Sequence, residues 1–168
     1  MLNQKIQDAF NKHLNSELYS SYLYLSMTSY FESQNLKGMA NWMKIQVQEE
    51  LIHVMKFFDF INERDGNVIL TQVEAPKIDW KSPLEAFEKT YEHEIMVTGF
   101  VNELVNLTIR ESDHAANTFL QWFVTEQVEE ESSSKTIVDK LKLVGDNSVA
   151  LFMIDGELAR RTFTPAAV

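Results

Sequence analysis

The scarcity of helix-breaking residues is the feature that most constrains how this chain can fold. Glycine occurs five times and proline three times in 168 residues, so long stretches contain nothing that stops a helix. The breaks that remain predict four long helices, A to D, and a short fifth one. Ser82 should cap helix C, with Pro83 at its first position. We expect helix A at about 3–33, helix B at 36–64, helix C at 82–111, helix D at 114–144 and the fifth helix at 148–160.

The lengths of the connections predict how these helices are arranged. Breaks of a few residues separate A from B and C from D, which predicts two antiparallel hairpins. About 17 extended residues between B and C can span roughly 55 Å, whereas a helix of about 28 residues is roughly 42 Å long. This segment can therefore cross the whole bundle and leave B and C parallel. The sequence thus predicts an all-α four-helix bundle with one long crossover.

Composition and charge narrow the kind of protein further. With 45% hydrophobic residues, residues 1–168 should form a single domain with its own core. The chain shows neither a secretory leader pattern nor a run of about 18 apolar residues, so we expect a soluble, cytoplasmic protein without a membrane partner. A formal charge of −10 argues against nucleic acid and favours cations as partners. Because cysteine is absent, a metal site would have to use histidine and carboxylates.

Each long helix places an acidic residue on the face predicted to point into the core. At alternating steps of three and four residues, the inward stripe of helix A meets Glu17, and that of helix B meets Glu50 and His53. The stripes of helices C and D meet Glu94 and Glu130 in the same way. All five residues lie near the middles of their helices, so we expect them in one layer. Glu50 and His53 have the i, i+3 spacing that lets both side chains reach one ion.

Four carboxylates in a core need a compensating cation or shared protons, because unpaired buried charge is very costly. Oxygen donors with a single imidazole differ from a structural zinc site, which uses thiolates, and from calcium sites, which use oxygen alone. Two iron ions bridged by Glu50 suit this set best. Zinc or manganese could occupy the same ligands, so ligand type alone leaves the metal open.

Four stretches of the sequence resemble non-haem ferritins of the bacterial and archaeal type: NSELYSSYLYLSM, WMKIQVQEELIHVMKFFDFI, YEHE and FLQWFVTEQVEEE. The match extends over nearly the whole chain, including the short C-terminal helix. The resemblance implies a ferritin-like fold with a di-iron ferroxidase centre. In that centre Glu17, Glu50 and His53 would bind one iron, and Glu50 would share the second iron with Glu94 and Glu130.

The same resemblance assigns roles to residues around the centre. Gln127 matches a residue that lies beside the second iron rather than a firm ligand. Tyr24 matches a tyrosine that hydrogen-bonds the site and can donate an electron, although a core tyrosine with a satisfied hydroxyl is the commoner situation. A third iron site on the inner-surface side, which could share Glu130, is matched by Glu49, Glu126 and Glu129. The alternative for this acidic run is a solvated helix face.

The resemblance also implies a function, which is iron storage and detoxification. Such proteins oxidise Fe(II) to Fe(III) with dioxygen or peroxide and deposit ferric mineral inside a hollow homo-oligomeric cage, commonly of 24 subunits. Leu51 stands where the bacterioferritins have their haem-ligating methionine, so we expect no haem. Association of subunits is favoured by apolar residues expected on outward faces, namely Leu18, Tyr19, Leu25 and Phe58.

Two other functions remain open from the sequence. One is a di-iron oxygenase or radical-generating protein that acts on an organic substrate, although such proteins are usually longer. The other is a structural ferritin subunit with a vestigial site, which the complete ligand set opposes. We interpret His13, Trp42 and Trp122 as structural residues of the core.

Overall fold

The computed structural model describes residues 1–164. It confirms the all-α prediction, and no strand occurs in that range. The fifth helix ends two residues earlier than expected, because the chain turns at 159–160. The helices are α1 (Gln4–Ser33), α2 (Lys37–Glu63), α3 (Pro83–Arg110), α4 (His114–Val144) and α5 (Ser148–Leu158).

Side-chain caps explain where most of these helices begin. The side chains of Asn3, Ser82, Asp113 and Asn147 each accept a hydrogen bond from a backbone N–H in the first turn of the following helix. Such caps satisfy donors that have no partner inside the helix. The predicted start of α3 at Ser82 is confirmed, whereas α2 begins after Leu36 without a side-chain cap.

Three helices end with a residue in the left-handed backbone region. Asn35, Asp65 and Ser112 have φ angles of 58°, 55° and 54°. In each case this residue and the next donate backbone hydrogen bonds to carbonyls of the last turn, as in a Schellman motif. The motif reverses the chain within a few residues and so produces the tight hairpins α1–α2 and α3–α4.

Contacts at one end of the bundle fix the directions of the helices. The N–H of Leu2 donates to the carbonyl of Arg64 at 2.8 Å, so α1 starts where α2 ends. Both guanidinium nitrogens of Arg64 donate to the Asp113 carboxylate at 3.1 Å, and Asn3 donates to Glu111 at 3.0 Å. Because α2 and α3 both end here, they are parallel, as the long crossover predicts.

Polar side chains of α1 hold the crossover segment against the bundle. Asn11 donates to the carbonyl of Asn67 at 2.9 Å and accepts from the N–H of Ile69 at 2.7 Å. One turn further along, Asn15 accepts from the N–H of Thr71 at 2.8 Å. These side chains take the place of a neighbouring strand, because an extended segment must satisfy its backbone groups elsewhere.

Two apolar clusters fill the bundle on either side of a polar middle layer. One cluster contains Met27, Phe31, Met43 and Phe87, and the other contains aromatic residues packed around Phe57. Buried polar and acidic residues occupy the layer between them. The layer consists of Glu17, Gln46, Glu50, His53, Glu94, Gln127 and Glu130.

Steps of three and four residues from Glu94 predict an inward stripe on helix C, and the inward face of α3 differs from it along one edge. The predicted stripe contains Phe87, Tyr91, Glu94, Thr98, Val101 and Val105. Tyr91, Thr98 and Val105 are only half-buried, whereas Val97 and Leu104 are buried. Tyr91 and Thr98 line a surface cavity of about 520 Å³ between α3 and α4. The stripe is therefore displaced, because one side of α3 borders this cavity rather than another helix.

The apolar residues expected on outward faces fall into two groups. Leu25 and Phe58 are exposed. Leu18 and Tyr19 are instead half-buried against the two core clusters. The expectation was wrong for this pair because their side chains pack along the edges of α1 rather than pointing away from the bundle.

Helix α5 packs against the start of α2 through an unusually close approach. A Cβ atom at Gly38 would lie 1.7 Å from the carbonyl oxygen of Asp155, so only glycine fits there. The N–H of Met39 donates to the Asp155 carboxylate at 2.9 Å, and Asn41 donates to the carbonyl of Arg161 at 3.0 Å. These contacts direct the chain that follows α5 back along α2.

Among residues 1–164, no helix combines the length and apolar character that crossing a membrane requires.

Candidate metal centre

Three side chains from α1 and α2 form a tight group in the middle layer. Ligand atoms of Glu17, Glu50 and His53 all lie within 4.8 Å of one another, and all three residues are buried. His53 Nδ1 is 3.3 Å from Glu50 Oε2 and 3.7 Å from Glu17 Oε2. One imidazole and two carboxylates therefore converge on a volume that a single cation could occupy.

His13 completes the surroundings of Glu17. Its Nε2 atom lies 2.7 Å from Glu17 Oε1, and both side chains are almost fully buried. The ring is not aligned for a hydrogen bond, so neither of its nitrogens has a hydrogen-bond partner in the described residues. The pair is a close electrostatic contact, because distance alone does not make a hydrogen bond. His13, interpreted from the sequence as a structural core residue, thus also contacts one of the predicted iron ligands.

Glu94 and its partners form the α3 side of the layer. The Tyr24 hydroxyl donates to Glu94 Oε1. The Gln127 amide donates to Glu94 Oε2 at 3.3 Å, and it also lies 3.2 Å from the Glu94 backbone carbonyl. Both Tyr24 and Gln127 are donors here, so they orient the Glu94 carboxyl without adding charge.

Glu130 is the α4 carboxylate of the layer, and it is 4% exposed. Its Oε2 atom accepts a hydrogen bond of 2.8 Å from the Gln46 amide. Neither Glu94 nor Glu130 belongs to the tight group on α1 and α2. All four carboxylates therefore lie in one layer. Glu17 and Glu50 lie close together in the tight group, whereas Glu94 and Glu130 are each held by other partners.

Within the tight group, the pKa values of the two carboxyls are shifted in opposite directions. Burial opposes ionisation of Glu17, but the His13 imidazole holds the pKa of that carboxyl well below its usual range. Burial and the Glu17 charge raise the pKa of Glu50 well above its usual range. Burial would lower the pKa of His53, yet its contacts with Glu17 and Glu50 raise that pKa well above normal.

The other half of the layer also favours protonated carboxyls. Burial and the Glu130 charge raise the pKa of Glu94 to about 8. Burial and the Glu49 charge raise the pKa of Glu130 to about 7. Burial raises the pKa of the Tyr24 hydroxyl well above its usual range, so this group remains a donor at neutral pH.

This arrangement can bind cations in exchange for protons. In the part of the chain described, no lysine or arginine forms an ion pair with Glu17, Glu50, Glu94 or Glu130. Without such partners, protons and histidines carry the compensation that buried carboxylates need. A metal ion could replace those protons, because carboxylate ligands bind metals in their deprotonated form.

The acidic residues matched to a third site lie beside this layer, nearer the surface. Glu49 and Glu126 are half-buried and Glu129 is exposed. Burial raises the pKa of Glu49 and of Glu126. Glu49 already has a partner, because Arg161 Nη2 lies 2.7 Å from its Oε2 atom.

Comparison with known proteins identifies the family of this chain. The family described as Ferritin-like domain matches residues 7–144. The chain belongs to the ferritin family. A bacterial non-heme ferritin of Bacteroides fragilis is 42% identical over 161 residues, which cover 96% of this chain and all of that protein. A bacterial non-heme ferritin of Campylobacter jejuni is 39% identical over 92% of this chain and 93% of that protein.

Solved ferritin structures share the fold at higher identity. An Archaeoglobus fulgidus ferritin engineered into a closed form is 53% identical, with a TM-score of 0.96 over 98% of this chain and 100% of that one. A novel open pore ferritin from the same archaeon is 52% identical, with a TM-score of 0.96 over 96% of this chain and 100% of that one. The ferritin-like bundle with a fifth helix is thus confirmed.

Contacts of three residues with the carboxylates of this site were not predicted from the sequence. Gln46 lies on the predicted stripe of α2, but only the structure shows that its amide contacts Glu130. The i, i+4 spacing of His13 and Glu17 is a sequence signal for their contact. Arg161 gives no such signal, because it lies more than 100 residues from its partners Glu49 and Gln46.

Proposed function

We propose that this chain is the subunit of an iron-storing ferritin that oxidises Fe(II) at a di-iron centre, and that residues 1–168 form one ferritin-like domain. The observation that carries the proposal is the buried group of Glu17, Glu50 and His53, with Glu94 and Glu130 anchored in the same layer. Carboxylate oxygens with one or more imidazoles suit non-haem iron. The names of the two bacterial relatives, both non-heme ferritins, support the same function.

Each iron has a proposed ligand set. Glu17, Glu50 and His53 hold the first Fe(II), and Glu50 bridges to a second Fe(II) that Glu94 and Glu130 also bind. Gln127 lies beside the second ion and orients Glu94, to which its amide already donates. A bridging carboxylate holds two metal ions about 3.5–4 Å apart, the spacing of two-metal sites.

The proposed reaction transfers two electrons to one oxidant molecule. Each Fe(II) loses one electron, and dioxygen takes up both electrons and two protons to become hydrogen peroxide. Peroxide could serve as the oxidant in the same way, yielding water. Carboxylates favour Fe(III) over Fe(II) because they stabilise the higher charge. Reduction of this peroxide to water requires two further electrons. Tyr24, whose hydroxyl contacts Glu94, is positioned to supply one of them, and an additional Fe(II) would supply the other.

Storage requires that the oxidised product leaves the centre and accumulates in an enclosed space. We propose that the subunit assembles in the cytoplasm into a hollow homo-oligomer, of 24 copies as in the resembling ferritins, and that ferric mineral forms inside it. Support comes from large apolar side chains left exposed on the subunit, which mark contact surfaces. They include Leu25, Phe58, Leu70, Ile78 and Phe152.

Glu49, Glu126 and Glu129 form the proposed third iron site, referred to below as the inner acidic site. Glu49 precedes Glu50 by one residue, so its side chain is turned about 100° around the helix from the di-iron ligands. The inner acidic site is therefore a neighbour of the di-iron centre rather than part of it, and could pass iron onward.

An anaerobic titration followed by air tests the proposed function. Fe(II) is added to metal-free protein without oxygen, air is admitted, and the product is separated by size-exclusion chromatography. We expect ferric iron to co-elute with the assembled protein in large excess over the number of subunits. Ferric precipitate that separates from the protein, or iron that never exceeds a few ions per subunit, would overturn the storage function.

A further inference from the structure

The chain beyond α5 brings a positive charge to the edge of the candidate metal centre. Arg161 Nη2 donates to Glu49 at 2.7 Å, and Nη1 donates to the side-chain oxygen of Gln46 at 2.5 Å. The guanidinium carbon also lies 4.6 Å from the ring centroid of Trp42. With only 25% of its side chain exposed, Arg161 contacts three partners at once.

Gln46 connects this arginine to the di-iron layer. Its side-chain oxygen accepts from Arg161, and its nitrogen donates to Glu130 at 2.8 Å. A guanidinium has only donors and a carboxylate has only acceptors, so the amide can satisfy both neighbours in one orientation alone. Gln46 is completely buried, so bulk solvent offers its amide no alternative partner.

We propose that Arg161 is the resident cation of the inner acidic site: it occupies Glu49 when metal is absent, must release that carboxylate to an arriving metal ion, and orients Glu130 through Gln46. This proposal rests on the proposed iron site at Glu49, Glu126 and Glu129. Arg161 is then a positioning residue, because it acts through Glu49 and Gln46 rather than on iron itself.

The consequence is a competition between an internal and an external cation. Glu49 cannot keep its hydrogen bond to Arg161 and also give both oxygens to a metal ion. A metal ion that takes both oxygens of Glu49 must therefore displace the Arg161 guanidinium from Oε2, and breaking a partly buried ion pair costs more than breaking one at the surface. Glu126 and Glu129 form no ion pair with lysine or arginine in the described residues, so Glu49 is the member of the site that Arg161 controls.

Zinc binding measured by isothermal titration calorimetry tests the proposal on the assembled protein. Zinc is a redox-inert probe that accepts the same ligands. The zinc ions that bind to the wild-type protein but not to Glu49→Gln are those of the inner acidic site. In Arg161→Ala that binding should tighten by roughly tenfold, the usual size of a coupling between two ligands. Arg161→Lys should show a smaller change, because lysine keeps the charge but loses the two-pronged geometry.

Arg160 provides the matched control. It is the exposed neighbour of Arg161, and Arg160→Ala removes the same charge without touching Glu49. Zinc affinity at the inner acidic site should stay within about twofold in this variant, because an exposed charge is screened by solvent. If zinc affinity rose as much in Arg160→Ala as in Arg161→Ala, the change would be due to net charge alone, and the proposal would be wrong.

The remaining outcomes separate this proposal from the proposed function. If Arg161→Ala lowers the thermal midpoint but leaves zinc binding at the inner acidic site unchanged, Arg161 only anchors the C-terminal segment and the proposal is wrong. If the wild-type protein lacks the tight zinc binding expected of Glu17, Glu50 and His53, the di-iron assignment fails. That failure leaves the Arg161 comparison intact, because it is judged only on the binding that Glu49→Gln removes.

Discussion

At the scale of single residues, the middle layer buries carboxylates whose charge folding alone does not favour. Glu50 is 3% exposed, has a carboxylate neighbour, and forms no ion pair with lysine or arginine in the described part of the chain. An apolar side chain at this position would fold with less penalty, because buried charge must be compensated. Removing this carboxylate should therefore separate function from stability.

Glu50→Ala should abolish rapid iron oxidation while leaving the metal-free protein at least as stable as wild type. Outer partners of metal ligands alone are worth about 10- to 100-fold, so loss of a bridging ligand should slow the initial rate by at least about 100-fold. Stopped-flow absorbance of ferric iron measures the rate, with the exposed Glu63→Ala of the same helix as the control. Phe57→Ala should instead lose about 3–5 kcal/mol of stability. A wild-type rate in Glu50→Ala would refute the bridging role.

The protonated carboxyls of the layer predict how the stability of the metal-free protein depends on pH. Folding raises the pKa of Glu94 to about 8 and that of Glu130 to about 7. The protonated form of each carboxyl therefore stabilises the folded state. This stabilisation is complete below the pKa of the carboxyl in the unfolded chain, and it is lost as pH rises through its pKa in the folded protein. The thermal midpoint, followed by circular dichroism with chelator, should fall as pH increases from about 5 to about 8. Glu94→Gln should flatten this profile, and a midpoint that rises over the same range would contradict the assigned pKa shifts.

At the scale of helices, three of the residues that end them have the left-handed backbone conformation, which is costly for residues other than glycine. Ser112 ends α3 with φ at 54°, its side chain is exposed, and glycine adopts this conformation without steric cost. Ser112→Gly should raise the free energy of unfolding by about 0.5–1 kcal/mol. Ser132→Gly, at an exposed position inside α4, should lower it by about 0.5 kcal/mol. Thermal unfolding of both variants checks the pair, and destabilisation by Ser112→Gly would show that the serine is adapted to this turn.

The sequence predicts the helices and their order because the signals for them are local. Ser82-Pro83 marks the start of α3, and the i, i+3 pair of Glu50 and His53 marks the centre of α2. The orientation of α3 is less predictable, since Thr98 lies on the stripe yet borders an open cavity. The contact of Arg161 with Glu49 could not be predicted, because it depends on how α5 packs at Gly38.

At the scale of the whole molecule, the two apolar clusters enclose the polar layer from both sides. The α1–α2 and α3–α4 hairpins each supply carboxylates, so the layer exists only when both hairpins are packed together. The layer is therefore assembled by folding. The tight group of Glu17, Glu50 and His53 forms within the first hairpin, because these three residues lie on α1 and α2.

The proposed centre oxidises two iron ions together in each subunit, and a stopped-flow titration counts the ions that react in the fast phase. Metal-free protein is mixed with increasing Fe(II) in aerated buffer, and the amplitude of the fast ferric signal is recorded. The amplitude should grow up to two Fe(II) per subunit and then level off, as a two-metal site requires. An amplitude that grows without a break, or that levels off at one Fe(II) per subunit, would contradict the di-iron centre.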